Sequence, residues 1–109
     1  MTHNPDSNIL YGAPLFIVVS AKLNGTNDNV AHSNAAIIDH NMAIACTELN
    51  LGCCHIWGGV MAINSNPDIL ASLNIPEGFT PCCGLAIGHS DETYSLRDIP
   101  QRIATNVID

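Results

Sequence analysis

The chain has 109 residues, is 47% hydrophobic and only 12% charged, and carries a formal net charge of −7. That composition excludes a disordered segment, and Lys22, Arg97 and Arg102, the only fixed cations, cannot build the basic face that nucleic acid requires. No run approaches the roughly 20 apolar residues that span a bilayer, and the start MTHNPDSN lacks the basic and apolar regions of a secretory signal, so a cytoplasmic location is expected.

A chain of this size buries only about two-thirds of its unfolded surface. With few charges to cover what remains apolar, association with another chain is expected.

The run PLFIVVSA (14–21) is continuous, rich in β-branched residues and opened by proline, and reads as a strand covered on both faces. LNGTNDN (23–29) is a loop of turn formers in which Asn27 or Asp28 can cap the next helix. That helix is predicted over about 29 to 50, with Val30, Ile37, Ile38, Met42, Ala45, Cys46 and Leu49 near helical spacing. Its few charges predict burial around most of its circumference, and Asn50 is suited to end it in a left-handed turn.

Residues 52–57 read as a second strand, ended by Gly58-Gly59 with backbone free to take positive φ. A short helix follows at NPDILASLN (66–74), with Asn66 as cap and Pro67 at its first position. After the turn PEGF (76–79), a third strand is predicted over 80–87. Polarity rises from Ser90 onward, and 90–109 reads as an extended arm with a candidate late strand at 103–108. Strand, helix, strand, helix, strand and arm together predict α+β or α/β layering.

Five cysteines include the vicinal pairs Cys53-Cys54 and Cys82-Cys83. Neighbouring strand residues point to opposite faces, and zinc sites favour two to four residues between ligand cysteines. The cysteines are therefore read as small buried hydrophobes in a reducing compartment, with a metal or redox role as the competing reading. No Ser/His/Asp order or carboxylate pair is legible, and Asp39 and Glu48, nine apart on one helix, suggest no shared site. His55 can act as a general acid, although a lone histidine on an apolar strand is more often a packed, hydrogen-bonded residue.

The succession YGAPLFIVVSA (11–21), DHNMAIACTELNLGCCHIWGG (39–59) and LNIPEGFTPCCGLAIGH (73–89) resembles the C-terminal portion of the FMN-dependent nitroreductase family. The similarity lies in the Tyr-Gly-Ala-Pro approach to a strand, a long helix, a strand ending at glycine, and an Ile-Pro-Glu-Gly turn before a last strand. It departs at His40, where glutamine is usual, and at His89, where tyrosine is usual. The family's Arg-x-Ser-x-Arg segment, which holds the FMN phosphate, has no counterpart here.

The resemblance implies an α+β fold, a nitroreductase-like sheet with a long central helix, incomplete and with an extended C-terminal arm. It reads as one partial domain over 1–109, with a tail at 1–10 and an arm at 90–109. It further implies FMN as cofactor, with His55 and Ile56 beside the flavin ring, and Trp57, Gly58 and Gly59 at the edge that carries N5. Arg97 or Arg102 from the arm is expected at the FMN phosphate, with Arg97 favoured. The implied partners are NAD(P)H, a nitroaromatic or quinone-like acceptor, and a second copy of the chain, toward which His40 and Asn41 face. No side chain is implied as nucleophile. His89 and Cys82-Cys83 are assigned to strand packing. The alternative is a non-enzymatic remnant or dimerising module that keeps the fold core without flavin.

Overall fold

The structure, a computed structural model, describes residues 8–109. The expected tail at 1–10 lies largely outside the described residues. Three strands, β1 (Leu15–Lys22), β2 (Gly52–His55) and β3 (Phe79–Gly88), form an antiparallel sheet in the order β1-β3-β2. Three helices accompany them: α1 (Asn29–Glu48), α2 (Trp57–Ser65) and α3 (Pro67–Ser72).

β3 is the central strand, with Leu85 opposite Ile17 on one side and His55 on the other. Alternation along β3 then fixes two faces. Leu85 and Ile87 pack with Cys46 of α1, with Ile17, Met42, Ala43 and Leu51 around them. The opposite face carries Gly84, over which the Phe16 ring lies, and the same ring reaches Gly59 of α2. The sheet is thus sandwiched between α1 and α2.

β1 was expected to be covered on both faces, yet its six inner residues are only half-buried. An edge strand beneath two helices has one flank open, so its apolar run exceeds its cover. Proline at position 81 of the central strand is tolerated because a bulge falls there. Val19 pairs with Cys83 and Ser20 with Pro81, which leaves Cys82 as the extra residue.

The loop before α1 behaves differently from its expected capping. Asp28 stands at the N-cap position but makes no side-chain cap. Its carboxylate instead accepts the amides of Asn24 (2.8 Å) and Gly25 (2.9 Å), closing the turn behind it. The other end of α1 follows the sequence closely. Asn50 takes φ 57°, the Leu51 N–H donates to the Cys46 carbonyl at 2.8 Å, and the Asn50 N–H donates to Thr47 at 3.1 Å. These two bonds form a Schellman closure.

Only Ala35, Asp39 and Cys46 of α1 are buried. The expected burial around its circumference is not met, and Val30, Ile37, Ile38, Ile44 and Leu49 are all exposed. A three-stranded sheet offers a helix one narrow seat, so one stripe of α1 is covered and its flanks are not.

The second strand is shorter than expected. It ends at His55, and Trp57 already opens α2, so Gly58 and Gly59 lie in a helix and neither takes positive φ. Val60 and Ile63 supply the anchoring face of that helix, together with Gly59. Asn66 caps α3 as expected, its Oδ1 accepting the amides of Asp68 (3.1 Å) and Ile69 (3.2 Å), an interaction worth about 1 kcal/mol. Gly78, at φ 84°, closes the turn into β3 through Phe79 N–H to Pro76 O.

Residues 89–109 form no helix or strand, and all are exposed. The late strand expected at 103–108 is therefore not formed. A strand needs a paired edge, and the arm has none among the described residues. Among the described residues no helix is long and apolar enough to cross a membrane.

Candidate functional site

The junction between β2 and α2 gathers the chemistry-bearing groups. His55 is the last residue of β2, and Ile56 continues the ladder by donating its N–H to Gly84 O at 2.9 Å. Ile56 is buried and anchors the junction, while Trp57, the first helical residue, is 61% exposed. No side chain caps α2. The first N–H groups of a helix lack intrahelical partners, so the amides of Trp57, Gly58 and Gly59 are uncapped donors at the positive end of the helix dipole.

The two glycines divide their work. A Cβ at Gly58 would meet nothing within 4 Å, so space lies open against the backbone there. A Cβ at Gly59 would come within 3.0 Å of Phe16 Cζ and 3.2 Å of Ile56 Cγ2. Gly59 is thus required for close packing of α2 on the sheet, and Gly58 leaves the approach to the helix start free.

Arg97 and Arg102 lie exposed in the arm and form no ion pair or side-chain hydrogen bond among the described residues. The structure does not assemble them into an anion cradle. Two open grooves lie at the other end of β2, both lined by Gly52, Cys53, Ser90, Glu92 and Tyr94. They present no buried polar group, whereas the His55 end does, and the His55 end is the better candidate.

That polar group is Asp39. It is 3% exposed, and its Oδ2 accepts a hydrogen bond from His55 Nδ1 at 2.6 Å. The His40 ring stacks on His55, with centroids 5.9 Å apart and planes 20° from parallel. His40 therefore faces the strand end within its own chain. The spacing from Glu48, nine residues along α1, gives no hint of this partner. A better signal was its place on the stripe Ala35, Asp39, Met42 and Cys46, where a carboxylate requires a partner.

Cys46 and Cys82 are buried as expected, Cys83 is half-buried, and Cys53 and Cys54 are exposed. All five thiols are free, and no group of three potential metal ligands forms among the described residues. Burial, then the nearby Asp39 carboxylate, then Cys82 push the Cys83 thiol up from 9.0 to about 11. The Cys53 thiol is also raised, chiefly by burial and then by Cys46.

A thiol raised on folding releases its proton first in the unfolded chain. Its contribution to stability is complete below the unfolded value of 9.0 and is lost as pH rises through about 11. The urea midpoint is expected to fall across that interval, and Cys83→Ala is expected to fall less steeply. Parallel curves for the two proteins would remove Cys83 as a contributor.

The nitroreductase family model matches residues 3–89, most of the chain. Solved structures share the fold. A nitroreductase with bound FMN from Bacteroides fragilis is 24% identical over 96% of this chain, with a TM-score of 0.75. A nitroreductase with bound FMN from Desulfitobacterium hafniense is 25% identical over 91%, with a TM-score of 0.74. An FMN-dependent nitroreductase from Clostridium difficile is 19% identical over 96%, with a TM-score of 0.66. The chain spans 57%, 53% and 64% of those three proteins. No curated protein matches it in sequence. An antiparallel sheet between two helices and a family match over most of its length lead to one conclusion: the chain belongs to the nitroreductase family.

Proposed function

We propose that this chain acts in an FMN-dependent oxidoreductase that passes hydride from NAD(P)H to nitroaromatic or quinone-like acceptors. The observation that carries the reading is the uncapped start of α2 beside the open space at Gly58. Donor amides with room in front of them suit the polar edge of a flat ring, and the two relatives with bound FMN support flavin as that ring.

FMN, when bound, supplies the centre that takes up and gives back hydride. The amides of Trp57, Gly58 and Gly59 would hold its N5 edge, with His55 and Ile56 beside the ring. Amide donors and the helix terminus favour negative charge on the reduced ring. Arg97 or Arg102 would pair with the phosphate, where a guanidinium offers two parallel donors.

A homodimer in the cytoplasm completes the reading. The accessible surface is 9046 Å², against about 5,800 Å² for a compact monomer of this mass. The exposed flanks of α1 and the apolar residues Leu96, Ile99, Ile103 and Ile108 of the arm supply surface for a second copy to cover.

The exposed, unpaired arginines favour a second reading, a dimerising module that has lost flavin. Absorbance after incubation with FMN and desalting separates the two. A retained yellow band bleached by NAD(P)H is the expected result for the oxidoreductase. A colourless protein that NAD(P)H leaves unchanged would establish the flavin-free module.

A further inference from the structure

The pair formed by Asp39 and His55 has no part in holding a ring by backbone amides, yet it is costly to keep. Asp39 is buried on α1, and its second oxygen, Oδ1, has no hydrogen-bond partner among the described residues. An unmatched buried oxygen is destabilising, so a purely structural role is poorly served by a carboxylate here. What the carboxylate does achieve is orientation.

An ionised carboxylate only accepts, so the proton between the two residues resides on His55 Nδ1. Nε2 is then the nitrogen left to exchange protons. The His55 side chain is 51% exposed, which gives it contact with solvent, while the Asp39 side chain is 4% exposed. His40, stacked on the imidazole at 5.9 Å, limits its swing on one side. A carboxylate on one nitrogen and a freely exchanging proton on the other is the arrangement of an oriented acid–base histidine. It stands two residues before Trp57, at the junction where the amides emerge.

We infer that His55, oriented by Asp39, delivers the proton that accompanies hydride to the acceptor. The inference rests on the flavin reading above. A two-electron reduction of a quinone-like acceptor adds one hydride and one proton. The hydride would come from NAD(P)H through the flavin chemistry proposed above. Imidazolium His55 supplies the proton, its Nε2–H bond breaking as the acceptor's O–H bond forms. Solvent then returns a proton to Nε2, and Asp39 keeps its charge throughout. His55 is the catalytic residue of this step, and Asp39 and His40 are positioning residues.

Other titratable groups face the pair: His40 on α1, Cys53 on β2 and Cys83 on β3. Tests therefore need site-specific readouts. The first is long-range proton–nitrogen NMR of the imidazoles, which needs no flavin. His55 is expected as the Nδ1–H tautomer when neutral, and Asp39→Asn is expected to abolish that preference. An Nε2–H tautomer in the unsubstituted chain overturns the inference.

The second readout uses FMN-loaded protein and compares two half-reactions, flavin bleaching by NAD(P)H and reoxidation by a quinone. In His55→Gln the reoxidation rate is expected to fall at least tenfold more than the bleaching rate, because a positioned general acid contributes about 10²–10⁴-fold. Added imidazole should restore part of the lost rate in His55→Ala. Equal slowing of both half-reactions overturns the proton-delivery role and leaves the flavin reading intact. Failure of the unsubstituted chain to bleach at all removes the flavin reading and the inference with it.

Discussion

Leu85→Ala is expected to lower unfolding free energy by about 3 kcal/mol, within the 2–5 kcal/mol typical of such truncations. Leu85 is fully buried at the centre of β3, against Cys46 and Ile87 with Ile17 and Met42 alongside. It joins α1 to the sheet. Small domains have only about 5–15 kcal/mol in total, so the loss is a large share. Urea titration reads it as a lower midpoint at unchanged slope. Leu85→Met, which conserves volume, should cost less than about 1.5 kcal/mol. A loss under about 1 kcal/mol for the alanine variant would mean that the core lies elsewhere.

Leu85 also pairs with His55 across the strands, so the same residue supports the site. Loosening it should broaden the His55 imidazole signals before the whole chain unfolds.

Gly84→Ala should destabilise by about 1–3 kcal/mol through overpacking. A Cβ there would fall 2.4 Å from Phe16 Cζ, 2.6 Å from its Cε2 and 3.2 Å from the Ile17 carbonyl. The ring cannot simply retreat toward α2, because it already fills the space against Gly59. Phe16→Leu should rescue Gly84→Ala, giving a coupling of about 0.5–3 kcal/mol in a double-mutant cycle. Strict additivity would sink the idea that one ring locks β1, β3 and α2 together. Because Phe16 also sits under the start of α2, the proposed flavin site predicts that Gly84→Ala weakens FMN retention in parallel with stability and that Phe16→Leu partly restores it.

The physical signals that the sequence carries are local, and several of them persist in the structure. Asn50 ends α1 because a left-handed residue there closes two carbonyls. Asn66-Pro67 starts α3, Gly78 shapes the turn, and the continuous β-branched run of β1 forms a strand. Each of these depends on dihedral preference or hydrogen bonding over a few residues. The family, and with it the α+β class, was legible from the order of these pieces.

What required tertiary structure depended on contacts between distant elements. Gly58-Gly59 suggested a turn, yet Val60 and Ile63 docked against the sheet draw the glycines into α2, since packing outweighs the modest cost of glycine in a short helix. β2 therefore ends at His55, and the junction gains free amides that no local rule foresaw. Asp28 was suited to cap a helix but closes the loop behind it, because its backbone (φ −95°, ψ 8°) is not the extended conformation of a capping residue. Asp39 and His55 are 16 positions apart, and only the seating of α1 on β3 brings them to 2.6 Å. Turn closure, the C-terminal end of α1, the start of α3 and the strand-forming runs follow from the sequence alone, because their energetics are short-range. The layering, the start of α2 and the buried carboxylate behind His55 were decided by the tertiary structure, because burial exists only once distant surfaces meet.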